Sequence, residues 1–166
     1  MQSLEVNNFS YREVRDALHG RGGTRNVKFT YNLLDKNDQL KKELSNVLSC
    51  TIDCDSTASI QRTAKFTMTP DPDINFLSDR VQPMFHIQIG GKWASWSLGI
   101  FILASPQEDD SNTTGVKIYS IDAYDKNQIL RSISFDRRYF IRRETTYSDA
   151  ISQLLLYCGI DKYKIG

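Results

Sequence analysis

The chain lacks most of what would point to a membrane, an export route or a metal centre. No apolar run approaches the roughly 18 residues that cross a bilayer, so no transmembrane helix is expected. The N-terminus, MQSLEVNNFSYREV, has no basic start followed by an apolar stretch, which argues against a secretory signal. Cysteine is scarce and odd in number, with Cys50, Cys54 and Cys158, as suits a reducing cytoplasm rather than a disulfide framework. Histidine is rarer still, with only His19 and His86. Net charge is almost absent at +1, so no whole-molecule field attracts nucleic acid or an anionic membrane. There is no internal repeat and no low-complexity segment.

What is present suits a globular, strand-rich chain. In 166 residues, 40% are hydrophobic and 25% charged, with eight Phe and eight Tyr. That length can bury a core without a disulfide or metal, and abundant aromatics favour strands and packed interfaces. Residues 1–10 read as an extended arm. Ser10-Tyr11-Arg12-Glu13 forms a capping box before a short helix carrying Val14, Ala17 and Leu18 on one face, ended by Gly20, Gly22 and Gly23. The period then becomes two. Val27, Phe29, Tyr31 and Leu33 alternate with Lys28, Thr30 and Asn32, which predicts a half-buried strand.

Strands are also expected over residues 46–55 and 58–69, the latter stopped by Pro70-Asp71-Pro72-Asp73. Met84–Ile89, Gly90-Gly91 and Lys92-Trp93 predict a tight hairpin. Leu98–Leu103 is a nearly continuous apolar run of strand length, 105–115 a polar loop, and Val116–Tyr124 a further strand. A helical turn or two is expected over 125–131, and a β-like aromatic and basic stretch over 133–143. A closing helix is capped by Thr146 or Ser148 and ended by Gly159. About seven strands with short flanking helices predict a mainly β fold, an antiparallel β-barrel or sandwich. The expected division is an arm and helix over 1–25, a β-barrel domain over 26–145, and a helix over 146–166 that could begin a following domain.

No catalytic constellation emerges. Neither histidine has a Cys, Asp or Glu at ligand or triad spacing in its own element. Cys50 and Cys54, four apart on a strand, would lie about 13 Å apart, too far to share one zinc; they read as small apolar fillers. Asp71 and Asp73 lack the regular oxygen spacing and closing Glu of a calcium loop. No catalytic residue, cofactor or metal is therefore expected. The most unusual feature is Arg131 with FDRRYFIRR, residues 135–143. Arginine interleaved with aromatics can track single strands of nucleic acid, yet it is also the composition of protein interfaces. The small net charge favours an interface, and the candidate residues are Arg137, Arg138, Tyr139, Phe140 and Arg142.

Four stretches in fixed order carry a resemblance: SIQRTAKFTMTPDPDINFLSDRVQPMFHIQI (59–89), WSLGIFILASP (96–106), IYSIDAYDKNQILRS (118–132) and YSDAISQLLLYCGI (147–160). In these the chain resembles the tail-hub or baseplate proteins of phages and prophages of Gram-positive bacteria, over about residues 26–160. The family's members are usually longer, so the chain looks like their N-terminal part. The resemblance implies a tail-tube/tail-hub-like barrel that forms a ring, often as a trimer, in the virion tail after assembly in the host cytoplasm. It implies other tail proteins as partners: tail tube, distal tail or baseplate, and tape measure. It brings no catalytic motif. Two other classes remain to be separated from it: a carbohydrate or cell-wall binding module using Trp93 and Trp96, and a cell-wall hydrolase needing two convergent carboxylates or a metal.

Overall fold

The computed structural model describes residues 4–6, 8–21, 23–108, 115–135 and 138–160. The chain forms two compact units, residues 1–125 and 126–166. The first is mainly β. A short helix, α1 (Tyr11–Leu18), precedes strands β1 (Val27–Leu34), β2 (Leu40–Leu44), β3 (Val47–Cys54), β4 (Arg62–Met68), β5 (Arg80–Ile89), β6 (Lys92–Ser97), β7 (Phe101–Leu103), β8 (Gln107–Glu108) and β9 (Tyr119–Asp125). The second unit carries α2 (Asn127–Ser132) and α3 (Tyr147–Tyr157).

All nine strands described belong to one antiparallel sheet ordered β2-β1-β5-β7-β9-β4-β3, with β6 added to β5 and β8 to β9. Among the described residues no ladder joins β2 to β3, so the sheet does not close into a barrel. It bends instead. The flank β2-β1-β5 and the flank β9-β4-β3 share one core of Leu33, Leu44, Phe66, Met68, Val81, Phe101 and Ile121. Tyr31 of β1 meets Phe66 of β4 with ring centroids 6.3 Å apart, although the two strands are not neighbours in the sheet. Two residues, Ser45 and Asn46, carry the chain from one end of the sheet order to the other. The Asn46 amide Nδ2–H donates to the Thr69 carbonyl at 2.6 Å, and the Thr69 N–H to the Asn46 carbonyl at 3.1 Å, which fixes this crossing.

β5 takes part in two cores. Its first half adds Val81 to the main core, and its second half adds Ile87 to a smaller cluster with Val14, Ala94 and Trp96. The capping box seats α1 on that cluster: Glu13 N–H donates to Ser10 Oγ at 3.4 Å, and Ser10 N–H to Glu13 Oε2 at 2.8 Å. Leu4, Val6 and Phe9 of the arm pack there as well, so the described part of the arm lies against its own sheet. Pro83 stands where β5 changes partner, from β7 at residues 80 and 81 to β6 at residues 84–89. The N–H and C=O of a strand residue point to the same side. The Pro83 carbonyl accepts from Leu98 N–H at 2.9 Å, so the donor that proline lacks falls at the fork, where no ladder needs it.

The expected hairpin is present, with Ile89 paired to Lys92 and both Gly90 and Gly91 at positive φ, as a type I′ turn requires. Four expectations need correction. β2 falls in a stretch that showed no strand period, and β8 lies inside the expected polar loop. Leu98–Leu103 is not one strand: Gly99 at φ +138° turns the chain, and only Phe101–Leu103 pairs. Residues 133–143 form no strand among those described, because no neighbouring strand offers them a ladder.

Gly99 makes a test of this corner. A Cβ there would stand 3.2 Å from the Phe101 ring and 3.3 Å from Arg62 Nη1. Backbone strain of this kind costs on the order of 1–3 kcal/mol. Gly99→Ala should therefore lower the denaturation midpoint by a stability of about that size, whereas Gly115→Ala, with open space around its Cβ position, should cost less. Equal losses would show that the Phe101 ring yields freely.

Candidate functional site

The arginine–aromatic segment lies in the second unit. Arg137 is outside the described residues. Of the other four candidates, Arg138, Phe140 and Arg142 are exposed, and Tyr139 is half-buried. Tyr139 is held in an aromatic trio: its ring centroid is 5.2 Å from Phe135 and 5.9 Å from Tyr157 of α3, and Phe135 is 5.2 Å from Tyr157. The trio gives this irregular segment its shape, and Tyr139 serves as an internal prop. Phe140, by contrast, is 78% exposed, and Ile141 beside it is also exposed.

α3 carries further exposed apolar side chains. Thr146 caps it, accepting from Asp149 N–H at 3.2 Å and donating to Asp149 Oδ2 at 2.7 Å. The helix then presents Tyr147, 92% exposed, with Ile151 and Leu156 also exposed. Among the described residues of this unit only Ala150 and Ile160 are buried. A unit this small buries a smaller share of its surface than a full-sized domain does. Here nine large apolar side chains between 130 and 157 remain exposed. Composition alone could not separate an exposed Phe140 from a packed Tyr139, because the two types fill cores and interfaces alike.

The first unit offers a different surface, flat and polar, across β1, β5 and β6. His86 bridges its neighbours, with Nε2 2.9 Å from Thr30 Oγ1 and Nδ1 2.7 Å from Ser95 Oγ. Gln82 accepts from Asn32 Nδ2–H at 3.3 Å and donates to Ser97 Oγ at 3.0 Å. Asn26 Nδ2–H donates to Gln88 Oε1 at 2.8 Å. Burial, then the Lys28 ammonium, depress the His86 pKa, against a smaller opposite pull from Glu43. The histidine is thus a satisfied member of a cross-strand polar ladder, and no carboxylate is among its hydrogen-bond partners in the ladder.

Trp93 lies on this polar face, paired with Gln88, while Trp96 pairs with Phe85 on the opposite, α1-covered face and is buried. The two tryptophans therefore do not line one groove. Lys28 Nζ sits 4.8 Å above the Trp93 ring, over a face that a sugar would need.

The remaining sequence candidates have structural partners. Lys42 Nζ lies 2.9 Å from Asp71 and 2.6 Å from Asp73, filling the place between the two carboxylates. Cys50 faces the core opposite Phe66, and burial pushes its thiol up to about 11, which makes it a poor nucleophile. Cys54 is exposed. No group of three or more His, Cys, Asp or Glu among the described residues is placed to hold a metal. Comparison with protein-family models, curated proteins and solved structures finds no match.

Proposed function

We propose that the chain is an assembly module of a phage or prophage tail hub or baseplate, joining the tail tube to the tail tip. The observation that carries the assembly role is the set of exposed apolar and arginine residues among the described part of 126–160, with Phe140 78% and Tyr147 92% exposed. Nine large apolar side chains exposed within one small unit are the material from which a partner-covered surface is built. The exposed arginines of the same unit suit directional contacts with such a partner. The tail-hub assignment rests on the order of the four sequence stretches. On this reading the bent, unclosed sheet is this chain's form of the tail-tube/tail-hub-like fold, several copies form a ring, often a trimer, and tail tube, distal tail and tape measure proteins are its neighbours. The chain acts by holding shape, not as an enzyme.

The test is a double substitution, Phe140→Ser with Tyr147→Ser, in the gene of the virion that encodes the chain. Both side chains are exposed, so the purified variant should keep its circular dichroism and melting temperature. If the two are interface anchors, binding to the neighbouring tail protein should weaken about 30-fold or more, and intact tails should be scarce by electron microscopy. Normal tail assembly by the double variant would sink the proposal.

A further inference from the structure

The two ends of the open sheet are not alike. β2 is five residues long, carries Lys41, Lys42 and Glu43, and pairs in regular register only over residues 42–44 before a bulge. Short length, lysine and a bulge are the means by which natural sheets blunt an edge. β3 has none of these over most of its length. Among the described residues it pairs only with β4, its bulge lies at its very start beside Leu48, and Ser49–Cys54 run in unbroken register. From Val47 to Ile52 it carries no charge and no proline.

The core is also unsealed beside this edge: Tyr31, Val47, Cys50 and Ile52 pack on it but stay half-buried. Leu48 is 58% exposed. An added strand would satisfy the outward backbone groups and cover that rim in one step.

We infer that β3 pairs antiparallel with β3 of a second copy of this chain. The strand is complementary to itself. Centred on Thr51, the pairing sets Thr51 opposite Thr51, Cys50 opposite Ile52, and Ser49 opposite Asp53. The core-facing row therefore stays apolar across the junction. The one carboxylate of each copy meets a hydroxyl instead of its like, and cross-strand Thr–Thr and polar pairs are favourable where like charges are not. The inference does not rest on the tail-hub reading, and its outcome leaves that reading untouched.

Analytical ultracentrifugation of the full chain should show a monomer–dimer equilibrium as concentration rises. Thr51→Lys places an exposed ammonium against its twin and should raise the dimer dissociation constant about tenfold or more, with the melting temperature of the monomer unchanged. In a Cys54→Ser, Cys158→Ser background, Thr51→Cys should give a covalent dimer under mild oxidation, while Glu43→Cys, at an exposed position of the guarded edge, should not. A chain that stays monomeric at every concentration overturns the inference. So does cross-linking at Thr51 no faster than at Glu43.

Discussion

Phe66→Ala should cost about 3–5 kcal/mol, the largest loss expected from any single truncation in the chain. Phe66 is completely buried on β4, a strand paired on both sides, opposite Cys50 of β3 and Ile121 of β9. Its ring meets Tyr31 at 6.3 Å and Phe101 at 6.4 Å, both edge to face. Such pairs add about 0.5–1.5 kcal/mol beyond the area they bury. The ring also fills space between two flanks that are tied by hydrogen bonds to their own neighbours and so cannot collapse inward. Against a typical total of about 5–15 kcal/mol, a loss of this size leaves the fold marginal. Chemical denaturation should show a lower midpoint with an unchanged slope. Phe66→Leu should lose clearly less. A cost below about 1 kcal/mol for the alanine variant would mean that the flanks close over the gap.

Asp79→Ala should follow, at about 2–3 kcal/mol. Asp79 is 3% exposed and holds the connection between β4 and β5 in place. Its Oδ2 accepts from Lys41 Nζ at 2.6 Å and from Asn75 N–H at 3.0 Å. Removing the carboxylate takes away the acceptor of the Asn75 N–H, but Asn75 is exposed and Lys41 is partly exposed, so both can turn to water, which keeps the cost below that of a fully buried pair. The pH dependence has a definite sign. Burial alone would raise this carboxyl, but the Lys41 hydrogen bond, the Asn75 N–H and the Lys41 charge together bring it below the usual value of 3.8. A depressed folded pKa gives stability that is present above 3.8 and is lost as pH falls through the folded value. Burial would raise Asp71 as well, but Lys42, the Asp73 N–H and the Lys41 charge bring it down in the same direction. Asp79→Asn should therefore lower stability at pH 7 and flatten its fall at acid pH, measured by urea denaturation across pH 2–7. An acid limb as steep as the parent's would place the linkage elsewhere.

Local chemistry was legible wherever it decided the structure. The Gly90-Gly91 turn, the Ser10–Glu13 capping box and the Thr146 cap each depend on residues within a few positions of one another. β2 did not show, because Leu40-Lys41-Lys42-Glu43-Leu44 has neither a clear period of two nor β-branched residues. Its lysines are held by Asp79, Asp71 and Asp73, 29 to 38 positions away, a pairing that no local window contains. The converse failure is 133–143, which alternates like a strand but has no ladder to join among the described residues. The candidate interface was visible in composition only. Which aromatic is a prop and which is open depends on Tyr157, some twenty positions on, against which Tyr139 packs and Phe140 does not.

The pairing of β1 with β5 has a consequence for how the chain is made. Leu34 meets Arg80 at one end of that ladder and Val27 meets Ile87 at the other. About fifty residues must therefore leave the ribosome between the two strands, which takes roughly 3–10 s at ordinary elongation rates. During that interval β1 has only the short β2 beside it, and its alternating Phe29, Tyr31 and Leu33 stand open. β4 waits in the same way for β9, which arrives last in the sheet. The nascent chain thus carries unpaired strands for seconds, and ribosome-associated chaperones that cover extended apolar segments should engage it between the synthesis of residue 34 and that of residue 125.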